Sequence, residues 1–130
     1  MLYSSAYFEL KEGHMKKEKR QGLIRASIRI HLSLNKQREA LEILKSVREQ
    51  TKVEPDCIYT RLYRGSDDEN ILMLEELWKG EQALLNHLKT DIYRRVLLVI
   101  EMSEIQPEIN FDRILASNGI ETIKKARVKY

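Results

Sequence analysis

The sequence predicts an α+β domain of the ferredoxin-like type, two split βαβ halves sharing one four-stranded sheet. Three observations predict it. A strictly alternating stretch at residues 24–32 leads into a long amphipathic segment. Two runs rich in β-formers flank the polar turn Gly65-Ser66-Asp67-Asp68-Glu69-Asn70, and a helical region then leads into a last alternating stretch. The order strand, helix, hairpin strands, helical region, strand is that of a βαββαβ sandwich, whose right-handed crossovers lay the helices on one face of the sheet.

In the first strand Ile24, Ala26, Ile28, Ile30 and Leu32 alternate with Arg25, Ser27, Arg29 and His31, the period of a half-buried strand. Asn35 is placed to cap the first helix. Ala40, Leu41, Leu44, Val47 and Thr51 then recur at helical spacing with Ile43 at the edge, while Lys36, Arg38, Glu42, Lys45 and Glu49 fall outside. Glu54-Pro55-Asp56 ends that helix. Residues 57–64, with Ile58, Tyr59, Thr60 and Tyr63, read as a second strand, and the polar turn makes a hairpin with residues 71–78.

After Gly80, Ala83, Leu84 and Leu88 predict a short helix. Thr90-Asp91 caps another, with Ile92, Tyr93, Val96, Leu97 and Ile100 inward. Residues 104–111 alternate again, with Ile105, Pro107, Ile109 and Phe111 on one side. Pro107 implies an edge strand or a gap in the ladder. Asn118 and Glu121 have capping-box spacing ahead of a short helix carrying Ile120 and Ile123. The expected organisation is an N-terminal extension at 1–22, one domain at 23–111 and a helical tail at 112–130. Lys11-Glu12-Gly13 is encodable by a purine-rich ribosome-binding sequence, so Met15 is the expected natural start.

A chain of 130 residues, 42% hydrophobic and 33% charged, has the length and balance of one globular domain. The longest apolar run, 96–100, is too short to cross a bilayer, and the first residues lack the pattern of a secretory signal. The expected address is the cytoplasm. A lone cysteine, Cys57, forms no internal disulfide and reads as a small strand hydrophobe. The net charge of +3 is concentrated near the two ends, without the basic, aromatic-laced stripe of a nucleic-acid binder, and is read as solvated tails. His14, His31 and His87 have no metal-ligand spacing, and phosphate loops and nucleophile motifs are absent. A sheet with helices on one face leaves the other open. Tyr, Cys or large apolar groups there make it a surface for a second copy, a two-fold pair being the commonest solution.

Leu74, Glu76 and Trp78 share one side of a strand and His87 follows on the next helix, so these groups can converge beside the sheet. Glu54-Pro55-Asp56-Cys57, the pattern Leu72-x-Leu74-x-Glu76-x-Trp78, and Ala83 followed by His87 resemble the antibiotic biosynthesis monooxygenase family over about residues 24–111. The family commonly carries Gly where Asp56 stands. The resemblance implies a homodimeric α+β barrel, two sheets packed face to face, with a pocket between each sheet and its helices. It further implies a cofactor-independent monooxygenase that oxidises a quinol or polyphenol-like aromatic with molecular oxygen, the substrate supplying the electrons. In that setting Trp78 packs on a planar ring, His87 exchanges the phenolic proton, Glu76 orients a partner or the substrate, and Tyr59 and Tyr93 complete the wall. A related haem-degrading branch uses a histidine whose counterpart here is near Leu97, which cannot ligate iron.

Each residue also has a plainer role. Trp78 can anchor a core, His87 can cap or hydrogen-bond within the fold, Glu76 can pair with Arg61 or Arg25, and His31 can serve a strand end or a dimer interface. The rival function is a non-catalytic small-molecule-binding or regulatory module. A third, resting only on the fold and the basic ends, is an effector in nucleic-acid control.

Overall fold

The expected alternation is present in the first strand. In a computed structural model describing residues 22–128, β1 (Leu23–His31) buries Ile24, Ala26, Ile28 and Ile30. The expectations for the N-terminal extension and for Met15 fall on residues 1–21, outside the described residues, as do 129–130. The helix α1 (Leu34–Thr51) buries Gln37, Ala40, Leu44, Val47 and Thr51, a stripe of three- and four-residue steps. Its N-cap is Ser33 rather than Asn35, and the Ser33 hydroxyl donates to the Asn35 side chain. Gln37 Nε2 donates to Leu32 O at 3.0 Å and also to Glu69 O. This otherwise polar position thereby ties the helix to the tip of the following hairpin.

That hairpin is β2 (Cys57–Arg64) and β3 (Ile71–Trp78), closed where Gly65 N donates to Ile71 O at 2.9 Å. Next come α2 (Glu81–Leu88), α3 (Asp91–Glu101), β4 (Glu108–Ile114) and α4 (Ile120–Ala126). All pairings are antiparallel and the strand order is β2-β3-β1-β4, so the ferredoxin-like α+β fold is as the sequence predicts. The main core lies where Ile28, Ile30, Leu72 and Leu74 of the sheet meet Ala40, Leu44 and Val47 of α1 and Tyr93, Val96 and Val99 of α3. A second cluster of Ile24, Ala26, Trp78 and Leu84 fills the end of the same face beside α2.

Three further expectations are corrected. The last strand was expected at 104–111 but is Glu108–Ile114. Ser103 and Glu104 are engaged with the end of β1, His31 N donating to Ser103 Oγ at 3.1 Å and Glu104 N to His31 O at 2.8 Å. The ladder starts after Pro107, which has no N–H to give it. The N-cap of α4 is Gly119 rather than Asn118, while Glu121 Oε1 does accept from Gly119 N at 2.7 Å, one half of the capping box.

Cys57 is the third correction. It pairs with Trp78 and packs in the second cluster on the helix side, so it is not part of the opposite face. Burial, with Glu76 and Glu54 nearby, pushes its thiol up to about 12. The opposite face instead carries Arg25, Arg29, Glu75, Tyr59, Arg61, Tyr63 and Glu108 by register. Arg25 pairs with Glu75 at 4.0 Å and Arg29 with Glu108 at 3.9 Å.

Candidate functional site

The site forms where β3 ends. Glu76 and Trp78 are two positions apart on the strand and so point to the helix side together. Gly80, with φ of 96°, then reverses the chain into α2, a left-handed backbone that a β-carbon disfavours. Along α2 the buried residues are Leu84 and His87, one turn apart on the same side. Thr90 fixes the far end: its hydroxyl donates to His87 O at 2.7 Å and accepts from Tyr93 N at 3.3 Å. One side chain thus closes α2 and caps α3, tying together the backbones of the two residues that carry the rings.

The His87 side chain is fully buried. Nδ1 lies 3.0 Å from Glu54 Oε2, and Nε2 lies 3.3 Å from Glu76 Oε1. The first contact is a hydrogen bond; the second is an ion-pair approach without hydrogen-bond alignment, since buried Nε2 has no aligned partner. The indole of Trp78 lies against the imidazole at 4.5 Å between centroids, and Tyr93 meets it edge-on at 5.4 Å. Glu76 is engaged on both oxygens: Trp78 Nε1 donates to Oε1 and Thr60 Oγ1 to Oε2, each at 3.2 Å. Burial alone would pull the His87 pKa down, but Glu76 and Glu54 outweigh it, so the imidazole is held above its ordinary value. Tyr93 goes the other way for its anion: burial and the nearby Glu76 push the phenol up to about 12.

Glu76 and Tyr93 also border a small apolar cavity completed by Ala26, Ile28, Leu74, Leu84, Leu88 and Phe111. Its volume is about 10 Å³, room for roughly one water-sized guest. Phe111, on the edge strand and 46% exposed, is its outer wall.

Of the five residues singled out in the sequence, the fold brings together Glu76, Trp78, His87 and Tyr93. Tyr59 is not with them. It sits opposite Leu77 on the other face of the sheet, with the Arg61 guanidinium 3.8 Å over its ring. Glu76 makes its contacts with Thr60, Trp78 and His87, and Arg25 takes Glu75 instead. Leu97 is exposed on α3, and among the described residues no group of three or more His, Cys, Asp or Glu is arranged to hold a metal ion.

Sequence reasoning passed over Glu54, Thr60 and Phe111. Glu54 reaches His87 because Cys57 N donates to Glu54 O at 3.1 Å and Lys79 N to Asp56 O at 3.0 Å, bracing the loop before β2 against the end of β3. Its signals in the sequence were its place in the Glu54-Pro55-Asp56 turn and in a motif that carries the family resemblance.

The profile of the antibiotic biosynthesis monooxygenase family matches residues 23–97. Among solved structures, a conserved protein from Methanosarcina mazei is 27% identical with a TM-score of 0.67, over 75% of this chain and 97% of that one. A conserved protein of unknown function from Bacteroides thetaiotaomicron is 20% identical at 0.66, over 72% and 99%. A structure described as an antibiotic biosynthesis monooxygenase is 18% identical at 0.65, over 72% and 99%. At these identities the last two speak to the fold. No curated protein matches the chain.

Proposed function

This chain belongs to the antibiotic biosynthesis monooxygenase family, and we propose on that premise that it oxidises a quinol or polyphenol-like aromatic with molecular oxygen. The observation that carries the reading is a buried histidine braced between two carboxylates, one of which, Glu76, borders a cavity. Such an arrangement takes up and returns a proton without exposing it to water. The phenolic O–H breaks, Glu76 and His87 take the proton, and the electron-rich phenolate reduces oxygen. A hydroquinone and O₂ then give a hydroxyquinone and water, one oxygen atom entering the ring and the other leaving with two hydrogens. The substrate supplies both electrons, so the protein acts without a cofactor.

In this reading Trp78 and Tyr93 support the inner wall, Phe111 swings aside to admit the ring, and residues 23–111 form the working unit in the cytoplasm. Tyr59 belongs to a sheet face that meets a second copy in a dimeric barrel. Oxygen uptake over a panel of hydroquinones tests the reading. Wild type should consume oxygen, and His87→Ala and Trp78→Phe should lose most of that turnover. Uptake equal in all three proteins, or none in wild type, would reject it.

One observation favours a second reading, a non-catalytic binding module. The cavity is of single-water size and the His87 side chain is entirely enclosed, as in a structural core. Saturable binding of a small aromatic without oxygen consumption across the panel would select it.

A further inference from the structure

The proton network has a member behind the cavity wall. We propose that Glu54 is a positioning residue: it holds His87 with Nδ1–H turned away from the cavity, so that Nε2 stands behind Glu76 as the second stop for the phenolic proton. The inference deepens the oxygenase reading and rests on it for the substrate, while the ring geometry is a property of the free protein.

The two sides of the imidazole differ. Nδ1 faces Glu54 Oε2 at 3.0 Å in a hydrogen bond, whereas Nε2 faces Glu76 Oε1 at 3.3 Å with no aligned partner. A neutral ring has one proton to place, and it goes where an acceptor is aligned. That leaves the Nε2 lone pair toward Glu76. Glu76 borders the cavity and His87 does not, so a proton leaving a phenolic oxygen forms its first new bond to the Glu76 carboxylate. Transfer to Nε2 then breaks that O–H bond, forms N–H and restores the Glu76 charge. The resulting imidazolium lies between two carboxylates, and Glu54 stabilises it from the side the substrate never reaches. The Glu54 side chain is 24% exposed against 0% for His87, so its counter-charge is kept at partial contact with water. The other titratable groups facing this cluster are Tyr93 and Cys57, both pushed up to about 12, so neither changes charge over the range in which His87 titrates.

The test is a pH titration of the ¹⁵N-labelled His87 ring by NMR in the ligand-free full chain, in wild type and Glu54→Gln. The expected neutral form in wild type carries its proton on Nδ1. The midpoint should fall in Glu54→Gln by about one pH unit, a tenfold loss of proton affinity. A wild-type neutral ring protonated on Nε2 overturns the proposal. So does a ring that stays doubly protonated wherever the fold survives, since Nε2 then has no lone pair to offer. If Glu54→Gln fails to fold, the wild-type tautomer decides alone; if it folds and its midpoint is unmoved, the proposal fails. With 1,4-dihydroxynaphthalene as substrate, Glu54→Gln should lower kcat about tenfold and leave KM nearly unchanged; a loss confined to KM contradicts the role. Absence of oxygen uptake by wild type would remove the oxygenase reading and leave the titration to judge Glu54.

Discussion

His87 couples the stability of this protein to pH, and the sign follows from its surroundings. The two carboxylates hold the imidazolium more favourably in the fold than in the unfolded chain, so its pKa is raised on folding. The stabilisation is fully present below the ordinary histidine value of about 6.5 and is lost as pH rises through the raised one. Denaturant midpoints should therefore fall from mildly acid to mildly alkaline pH, and the slope should flatten in His87→Gln. Trp78 offers a second test. Trp78→Phe keeps an aromatic ring against His87 but removes the Nε1–H that Glu76 accepts at 3.2 Å. A buried carboxylate short of a donor costs about 1–3 kcal/mol, measurable as the shift in urea unfolding free energy.

At the scale of elements, the helix α2 is eight residues long, too short to persist without its ends fixed. Thr90 fixes one of them. Thr90→Ala removes the hydroxyl shared by His87 O and Tyr93 N and should cost about 1 kcal/mol as a lost cap. His87 O still accepts from Thr90 N at 3.1 Å, so oxygen turnover should fall by no more than that stability loss explains. Most elements were legible because burial on one face imposes a period: Ile24 to Ile30 for a strand, Ala40 to Thr51 for a helix. What escaped were features set by partners distant in sequence. Gln37 looked polar and is buried because two backbone carbonyls, one of them on the hairpin tip, receive its amide. The start of β4 was misplaced because Ile105 continues the alternation, while Ser103 and Glu104 are held by the end of β1.

The candidate site shows the same division. Glu76 and Trp78 could be placed together from strand alternation, and His87 beside them from the turn into α2. Glu54 could not, because its approach depends on how the loop before β2 closes on Lys79. Tyr59 lies on the other face of the sheet from these residues, beyond a register shift between Cys57 and Tyr59. A bulge moves all side chains beyond it relative to those before it, and sequence alternation alone does not reveal it.

For the whole molecule, the sheet has α1 and α3 on one face and, on the other, Tyr59, Tyr63 and Met73 among cross-strand ion pairs. The dimeric reading takes this second face as the contact with a twin. Sedimentation equilibrium at micromolar concentration should give twice the chain mass of 15.4 kDa, and Arg61→Glu should weaken the pair by placing like charge opposite Glu75, its register partner. A monomer at that concentration would remove the barrel. Among the described residues no helix is long and apolar enough to cross a membrane. The proposed function comes down to one claim, that this chain inserts oxygen using its substrate's own electrons. Turnover of a hydroquinone under ¹⁸O₂ tests that claim most directly. The account predicts one labelled atom in the quinone product and the other in water; an unlabelled quinone with hydrogen peroxide as the reduced product would contradict it.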